Sequence, residues 1–249
     1  MSKFELNKFG VYIWTSNQLM HCTPAWCYLF NKFWPWKQNV RVLGYDWPEF
    51  EMPDNFEYIS LGVQRGPKYW SDDMKEYFEH CEHELFYLTT EDGFIVDNVN
   101  EEILMMAIKL GALNPGEKFL RFNLTCDVQS RGHTVLKDFD DYSLIKASQT
   151  AHYRQSLSHS IWRRDSLLNK LITNQSPWDF ELDNARGMHD GLDVYATKDK
   201  YGIHCGHGYK RGKKIPKWFE CTHPHITGCS GLSEEDRNFI ESNNWMPEL

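Results

Sequence analysis

An α/β fold, with a mainly parallel sheet flanked by helices and an irregular C-terminal half, is predicted by three features of this 249-residue chain. Short runs rich in Val, Ile, Tyr and Phe recur through the first half. Stretches with helical apolar spacing fall between them. Several of the strand-like runs end in small polar or acidic residues. Strands that alternate with helices need crossover connections, and these produce parallel sheets covered on both faces. In open sheets of that kind ligands bind outside the carboxyl ends of the strands.

Residues 10–17, "GVYIWTSN", read as the first strand, ending in small polar residues. An apolar, helix-like stretch covers 25–36 and is closed by Pro35. "VRVLGYD" (40–46) and "FEYISLG" (56–62) are the next two strands. The spacing of Trp70, Met74, Tyr77, Phe78 and Cys81 predicts a helix over 70–83, with Ser71 or Asp72 near its N-terminus. The strand "ELFYLTT" then stops at Glu91 and Asp92, and a helix over 101–110 ends at Gly111. "TSN" and "TTED" both fall on the expected ligand edge.

In the second half, 118–128 reads as a strand and 160–172, "SIWRRDSLLNKLI", as an amphipathic helix. "NQSPWDFELDNARG" is a loop with a short helix, "GLDVYAT" and "YGIHCG" form a late hairpin, and "SEEDRNFIESNN" is a terminal helix. That last helix carries its acids at the N-terminal end, where the helix dipole favours them. No linker rich in Gly, Ser or Pro interrupts the chain, so 1–249 is expected to form one domain.

The balance of 35 acidic against 27 basic residues, formally −8, argues against general nucleic-acid binding, since a polyanion needs local Lys and Arg. Seven cysteines without a CxxC pair do not make a disulfide framework and fit a reducing cytoplasm. The N-terminus has no apolar targeting core and no long uncharged run spans a bilayer, so a soluble, cytoplasmic protein is expected. Ten tryptophans suit stacking on sugars or bases, or an aromatic core. P-loop, GxGxxG, GxSxG and HExxH motifs are absent.

Four groups of residues bear chemistry. Glu91–Asp92 beside Gly93 is either a polar turn or a ligand for a hard cation, which takes one or two carboxylates and draws the rest from phosphate and water. In "SPWDFE", Trp178 suits stacking and Asp179 or Glu181 suits proton abstraction; the same string equally describes a helix start with Pro177 at its first position. The tail holds His204, Cys205, His207, Cys221, His223, His225 and Cys229, which permit a structural zinc site or are scattered core and surface residues. Lys210, Arg211, Lys213, Lys214 and Lys217 form a basic cluster suited to diphosphate or a polyanion, or a solvated loop.

Taken in order, "WTSN", "SLGVQRGPKYWSDDMKEYFEHCEHELFYLTTEDGF", "SLSHSIWRRDSLLNKL", "SPWDFE" and the Gly–Lys-rich tail resemble a family of bacterial and phage glycosyltransferases with the GT-A fold. The family shows a W-S-x-x-L helix before a strand ending in (E/D)-D-x-F, then S-L-Q-x-x-I-W-R and P-W-E-F-E. The likeness covers nearly the whole chain. It departs at Ser158, where glutamine is usual, at Asp179, where glutamate is usual, and in having ED for a full DxD motif.

The resemblance implies a GT-A-like, Rossmann-type sheet, with 1–125 as the nucleotide-sugar-binding half and 126–249 as the acceptor-side half and tail. It implies Asp92 and His207 as metal ligands for Mn2+ or Mg2+. Thr15, Ser16, Asn17, Arg65, Trp70, Glu91 and Lys210 would lie around the nucleotide sugar, and Trp178 and Trp162 at the acceptor. Asp179 and Glu181 would be the catalytic carboxylates. The implied partners are a nucleoside-diphosphate sugar and a glycan acceptor. Alternatives are a hydroxymethylated base in phage-type DNA, or a non-catalytic zinc-binding module built on the tail.

Overall fold

The structure, a computed structural model, describes residues 9–113, 118–125, 128–210, 213–222, 229 and 231–247. Arg211, His223 and His225 lie outside them. The first half runs β1 (Phe9–Trp14), α1 (Thr23–Phe33), β2 (Val40–Gly44), β3 (Phe56–Ser60), α2 (Trp70–Glu79), β4 (Leu85–Thr90), β5 (Gly93–Ile95), α3 (Glu101–Leu113) and β6 (Phe119–Asn123). It continues with β7 (His133–Asp138), β8 (Ser143–Ala147), β9 (Ser160–Arg163), α4 (Arg164–Lys170), α5 (Pro177–Leu182), α6 (Asn184–Gly187) and β10 (Asp193–Lys198). The tail contributes β11 (Cys205–His207), β12 (Tyr209–Lys210), β13 (Lys213–Lys214) and α7 (Glu234–Ser242).

Nine strands form one sheet in the order β3-β2-β1-β4-β9-β6-β10-β8-β7. The first four are parallel, β9 runs antiparallel between β4 and β6, and β10 is parallel to β6 but antiparallel to β8. Side chains alternate across the strands as the pleat requires. Val11, Ile13, Leu85 and Tyr87 enter one core with Trp26 and Phe30 of α1 and Ile103, Leu104 and Ala107 of α3. Tyr12, Phe86 and Leu88 enter the opposite core with Trp70, Met74 and Phe78 of α2 and Leu167 of α4. The fold class therefore agrees with the sequence expectation, a mostly parallel sheet flanked by helices with an irregular C-terminal half.

Several element assignments need correction. The helix expected over 160–172 is two elements: Ser160–Arg163 is a strand with every residue buried, and only Arg164–Lys170 is helical. Four residues buried on both faces are too short a run to show a period that separates strand from helix; pairing with β4 and β6 decides it. The expected late hairpin does not form, because β10 joins the nine-stranded sheet and β11 pairs with β5. The hairpin β7–β8 takes residues to which no strand was assigned.

Helix α3 does not stop at Gly111 but runs through it to Leu113. A Cβ there would stand 2.5 Å from Leu85 Cδ1, so this glycine marks close helix–sheet packing rather than a C-cap. Helix α2 ends at Glu79, before the expected 83, and β6 ends at Asn123, before 128. Among the described residues no helix is long and apolar enough to cross a membrane.

Candidate functional site

Parallel pairing of β1 with β4 puts Trp14 opposite Thr90, so the two segments that follow leave the sheet side by side. Each ladder runs one residue past its strand: Thr15 N–H donates to the Leu43 carbonyl (2.8 Å) and Glu91 N–H to that of Trp14 (3.1 Å). Thr15 is wholly buried by this arrangement. Glu91, 1% exposed, turns inward and accepts the Ser16 N–H at 3.1 Å and the Ser16 hydroxyl at 3.2 Å. Burial, then the adjacent Asp92 charge, pushes its carboxyl up to about 8 against the pull of the Ser16 donors. Glu91 thus favours its protonated form at neutral pH and acts as the anchor of the Ser16 loop.

Asp92 points differently. Its Oδ1 accepts the Thr90 hydroxyl at 2.9 Å, and its carbonyl accepts Gly208 N–H at 2.8 Å. Antiparallel pairing of β5 with β11 places His207 directly across from Gly93. Tertiary structure has therefore brought Asp92 and the exposed His207, 115 positions apart in sequence, to neighbouring ends of one two-stranded ribbon. Gly93 sits in a tight place: a Cβ would lie 3.2 Å from His159 Nε2 and 3.4 Å from Thr89 Oγ1, while Trp26 Nε1 donates to its carbonyl at 3.0 Å.

The β1 loop continues the same edge. Asn17 N–H donates to Gln64 Oε1 at 3.1 Å, and its amide exchanges hydrogen bonds with Asp46 beyond β2 (2.7 and 3.0 Å). Trp47 follows Asp46 and stands 71% exposed, tilted against Tyr58. On the other side His21 bonds Tyr209 at 2.9 Å, which holds β12 and its exposed Lys210 against the loop. Lys210 faces Lys213 across the β12–β13 pair. Buried Cys22 lies near enough to Glu91 and Asp92 that their charges add to the effect of burial in raising its thiol pKa.

Other sequence-derived candidates sit elsewhere. Arg65 is bonded to Asp73 and lies 4.6 Å over the Tyr69 ring. Trp70 is 1% exposed and packs edge-on against Trp14 and Phe180, supporting the edge from beneath. Trp162 is wholly buried in β9, beside Phe180. On α5, Phe180 points into the core while Trp178 is 62% exposed.

The two carboxylates of α5 have separate occupations. Asp179 closes a capping box: Ser176 N–H and Oγ–H donate to it (3.1 and 2.6 Å), and its own N–H donates to Ser176 Oγ at 3.1 Å. The Ser176 hydroxyl, then its backbone N–H, lowers the Asp179 carboxyl below its usual range. Glu181 reaches instead to the 156–159 segment, accepting Leu157 N–H at 2.6 Å and the Ser156 hydroxyl at 3.1 Å. That segment presents His159, whose Nδ1 lies 2.5 Å from the Tyr87 hydroxyl and whose Nε2 approaches Gly93. A backbone path thus links Glu181 to the acidic edge.

Sequence reading missed Trp47, Asp46, Gln64, Cys22, His21 and His159. "GYDW" at the end of the second strand carried a usable signal, since it puts an acid and an aromatic on the same edge as "TSN". His159 lay inside the quoted "SLSHSIW" string.

No family model matches this chain, and no curated protein matches it. Solved structures similar to it include the following three. A cytidylyltransferase from Leptospira borgpetersenii serovar Hardjo-bovis is 13% identical, with 70% of this chain and 68% of that one covered and a TM-score of 0.37. CMP:2-keto-3-deoxy-manno-octonic acid synthetase, solved with CTP, is 13% identical, with 76% and 88% covered and a TM-score of 0.38. A197 from STIV is 9% identical, with 90% and 95% covered and a TM-score of 0.43.

Proposed function

We propose that this chain is a nucleotide-sugar-dependent glycosyltransferase, moving a sugar from a nucleoside-diphosphate donor to an acceptor hydroxyl. The observation that carries the reading is the convergence of Asp92, the Ser16–Asn17 loop and His207 at the carboxyl edge of the four parallel strands. That edge is where open α/β sheets hold ligands.

The residues fit a hard divalent cation such as Mn2+ or Mg2+. Thr90 orients the Asp92 carboxylate, the β5–β11 pairing brings His207 alongside, and donor phosphates with water complete such a shell. Asp92 and His207 would hold the ion, which supplies charge neutralisation for the diphosphate leaving group. Glu91 fixes the Ser16 loop. Lys210 and Lys213 face each other as like charges, a repulsive pairing that a bound diphosphate relieves. Trp47, exposed beyond Asp46, offers a stacking face for the donor base.

For the acceptor hydroxyl, Glu181 is the base we favour. It bonds the 156–159 segment, whose His159 approaches Gly93, whereas Asp179 is committed to capping α5. A base on the acceptor side implies in-line attack and inversion at the anomeric carbon. Trp178 presents an open face for a sugar acceptor.

A thermal-shift series with UDP-, GDP-, TDP- and CMP-sugars, with and without Mn2+, tests the proposal. One nucleotide class should raise the melting temperature in a metal-dependent way; a flat response to all of them overturns it. Transfer to glycan and to hydroxymethylated DNA, compared in wild type and in a Lys210→Ala/Lys213→Ala variant, separates the two acceptors. In the wild type, transfer to hydroxymethylated DNA alone favours the base acceptor, and transfer to glycan alone favours the sugar; the variant, having lost its diphosphate contacts, should be slow on either.

A further inference from the structure

Away from the acidic edge, three metal-ligating side chains from separate segments meet. His204 precedes β11, Cys221 follows the turn after Trp218, and Cys229 lies near the last helix; their ligand atoms all fall within 4.8 Å of one another. His204 Nδ1 is buried without a hydrogen-bond partner. Both sulfurs are buried, at 5% and 7% residue exposure. A buried ring nitrogen without a partner is costly, and one imidazole gathered with two buried thiols is a donor set that a metal ion would satisfy.

The surrounding backbone holds the three residues in place. Val96 N–H donates to the His204 carbonyl at 3.0 Å. Thr222 donates both its N–H and its hydroxyl to the Cys205 carbonyl, each at 2.8 Å. Gly206 allows β11 to pass close by, since a Cβ there would meet the Trp218 carbonyl at 2.5 Å. Gly231 N–H donates to Cys229 Sγ at 3.4 Å, a contact that favours the thiolate. Asp97 is close enough for its charge to act on Cys229.

We propose that His204, Cys221 and Cys229 form a zinc site that braces β11 against the tail. One imidazole and two thiolates suit Zn2+, and water or the Asp97 carboxylate completes a tetrahedral set. Loading releases one proton from each thiol to the buffer, so that Zn2+, two thiolates and a neutral imidazole leave a cluster of no net charge before any fourth ligand. The ion would hold the segment that leads into His207, three residues on. The site is separate from the Asp92 edge, and neither reading depends on the other.

The test uses the untagged 249-residue chain, reduced and stripped with a chelator, then titrated with Co2+ and with Zn2+. Cobalt should bind at one equivalent and give the near-ultraviolet sulfur-to-metal charge-transfer band and the visible bands of a tetrahedral site, with Zn2+ displacing it. Cys229→Ser and His204→Ala should each weaken cobalt binding by more than the roughly 10- to 100-fold typical of losing an outer partner. Chelation should lower the melting temperature of the wild type. A reduced wild-type chain that gives no charge-transfer band overturns the proposal. So does a Cys221–Cys229 disulfide in protein purified with zinc, seen as a mass two hydrogens lighter. Because the band is read on the wild type, a variant that fails to fold leaves the test intact, and a failed nucleotide assay leaves the zinc result standing.

Discussion

The two sides of the nine-stranded sheet use polar residues in opposite ways. On the far side, beyond β9, buried charges are spent on the protein itself. The Arg154 side chain has no exposed surface and bonds Asp190 at 3.0 Å along with the carbonyls of Gly187, Ser148 and Leu192. Lys170 meets the same Asp190 at 2.7 Å, and buried Arg121 holds the Tyr153 and Arg154 carbonyls. On the parallel side, polar residues gather at the carboxyl edge instead: Asp92, Asn17, Asp46, His207 and Lys210 border the loops where the strands end. Antiparallel neighbours reverse the chain and leave no common edge of carboxyl ends, whereas four parallel strands put all of theirs together.

The largest effect expected from this contrast is on stability. Asp190→Ala leaves two buried cations without their shared partner and should cost about 3–5 kcal/mol in urea unfolding. A loss under about 1 kcal/mol would mean the far side is not organised around this cluster.

Glu91 comes next. Its folded pKa is raised, so the folded state holds the proton that the unfolded chain releases, and its contribution is fully present below about 4.5 and lost as pH rises through about 8. In metal-free protein, stability should fall across that window by an amount on the order of a few kcal/mol. Glu91→Gln should flatten the decline; an unchanged profile would remove Glu91 as its source.

Asp92→Asn should leave the fold within about 1 kcal/mol of wild type while removing the Mn2+-dependent nucleotide stabilisation, which amounts to about 2.7 kcal/mol at a ligand excess of 100 Kd. Retention of the metal-dependent shift would take Asp92 out of the site.

The α5 carboxylates sharpen the contrast at a smaller scale. Asp179→Ala should cost about 1 kcal/mol through the lost cap and leave turnover in place, while Glu181→Gln should abolish turnover and keep donor binding. Turnover lost in the first and kept in the second would exchange their roles. The smallest expected change is at Trp47, where substitution by Ala should weaken nucleotide binding by about 0.5–1.5 kcal/mol in calorimetry, the scale of one aromatic contact.

Much of the parallel half was legible in the sequence. β1 to β4 and their helices announce themselves because each strand is short, β-branched or aromatic, and bounded by turn residues. The acidic pair at the end of β4 and the small polar residues after β1 followed from the same pattern. The antiparallel half was not legible in this way. "SIWR" is short and buried at every position, polar ends included, so it shows neither strand nor helix period, and "YGIHCG" pairs with a segment more than a hundred residues earlier.

By itself, then, the amino-acid order determined the layered α/β class, the parallel edge and the residue types gathered there, because these rest on periodicity and turn chemistry within a few residues. Tertiary structure alone decided that Glu91 turns inward to Ser16 while the Asp92 carbonyl meets Gly208 beside His207, that Asp179 caps and Glu181 reaches the 156–159 segment, and that His204 meets Cys221 and Cys229. Each of these depends on which distant segments share a ladder or a core, and local sequence carries no record of that pairing.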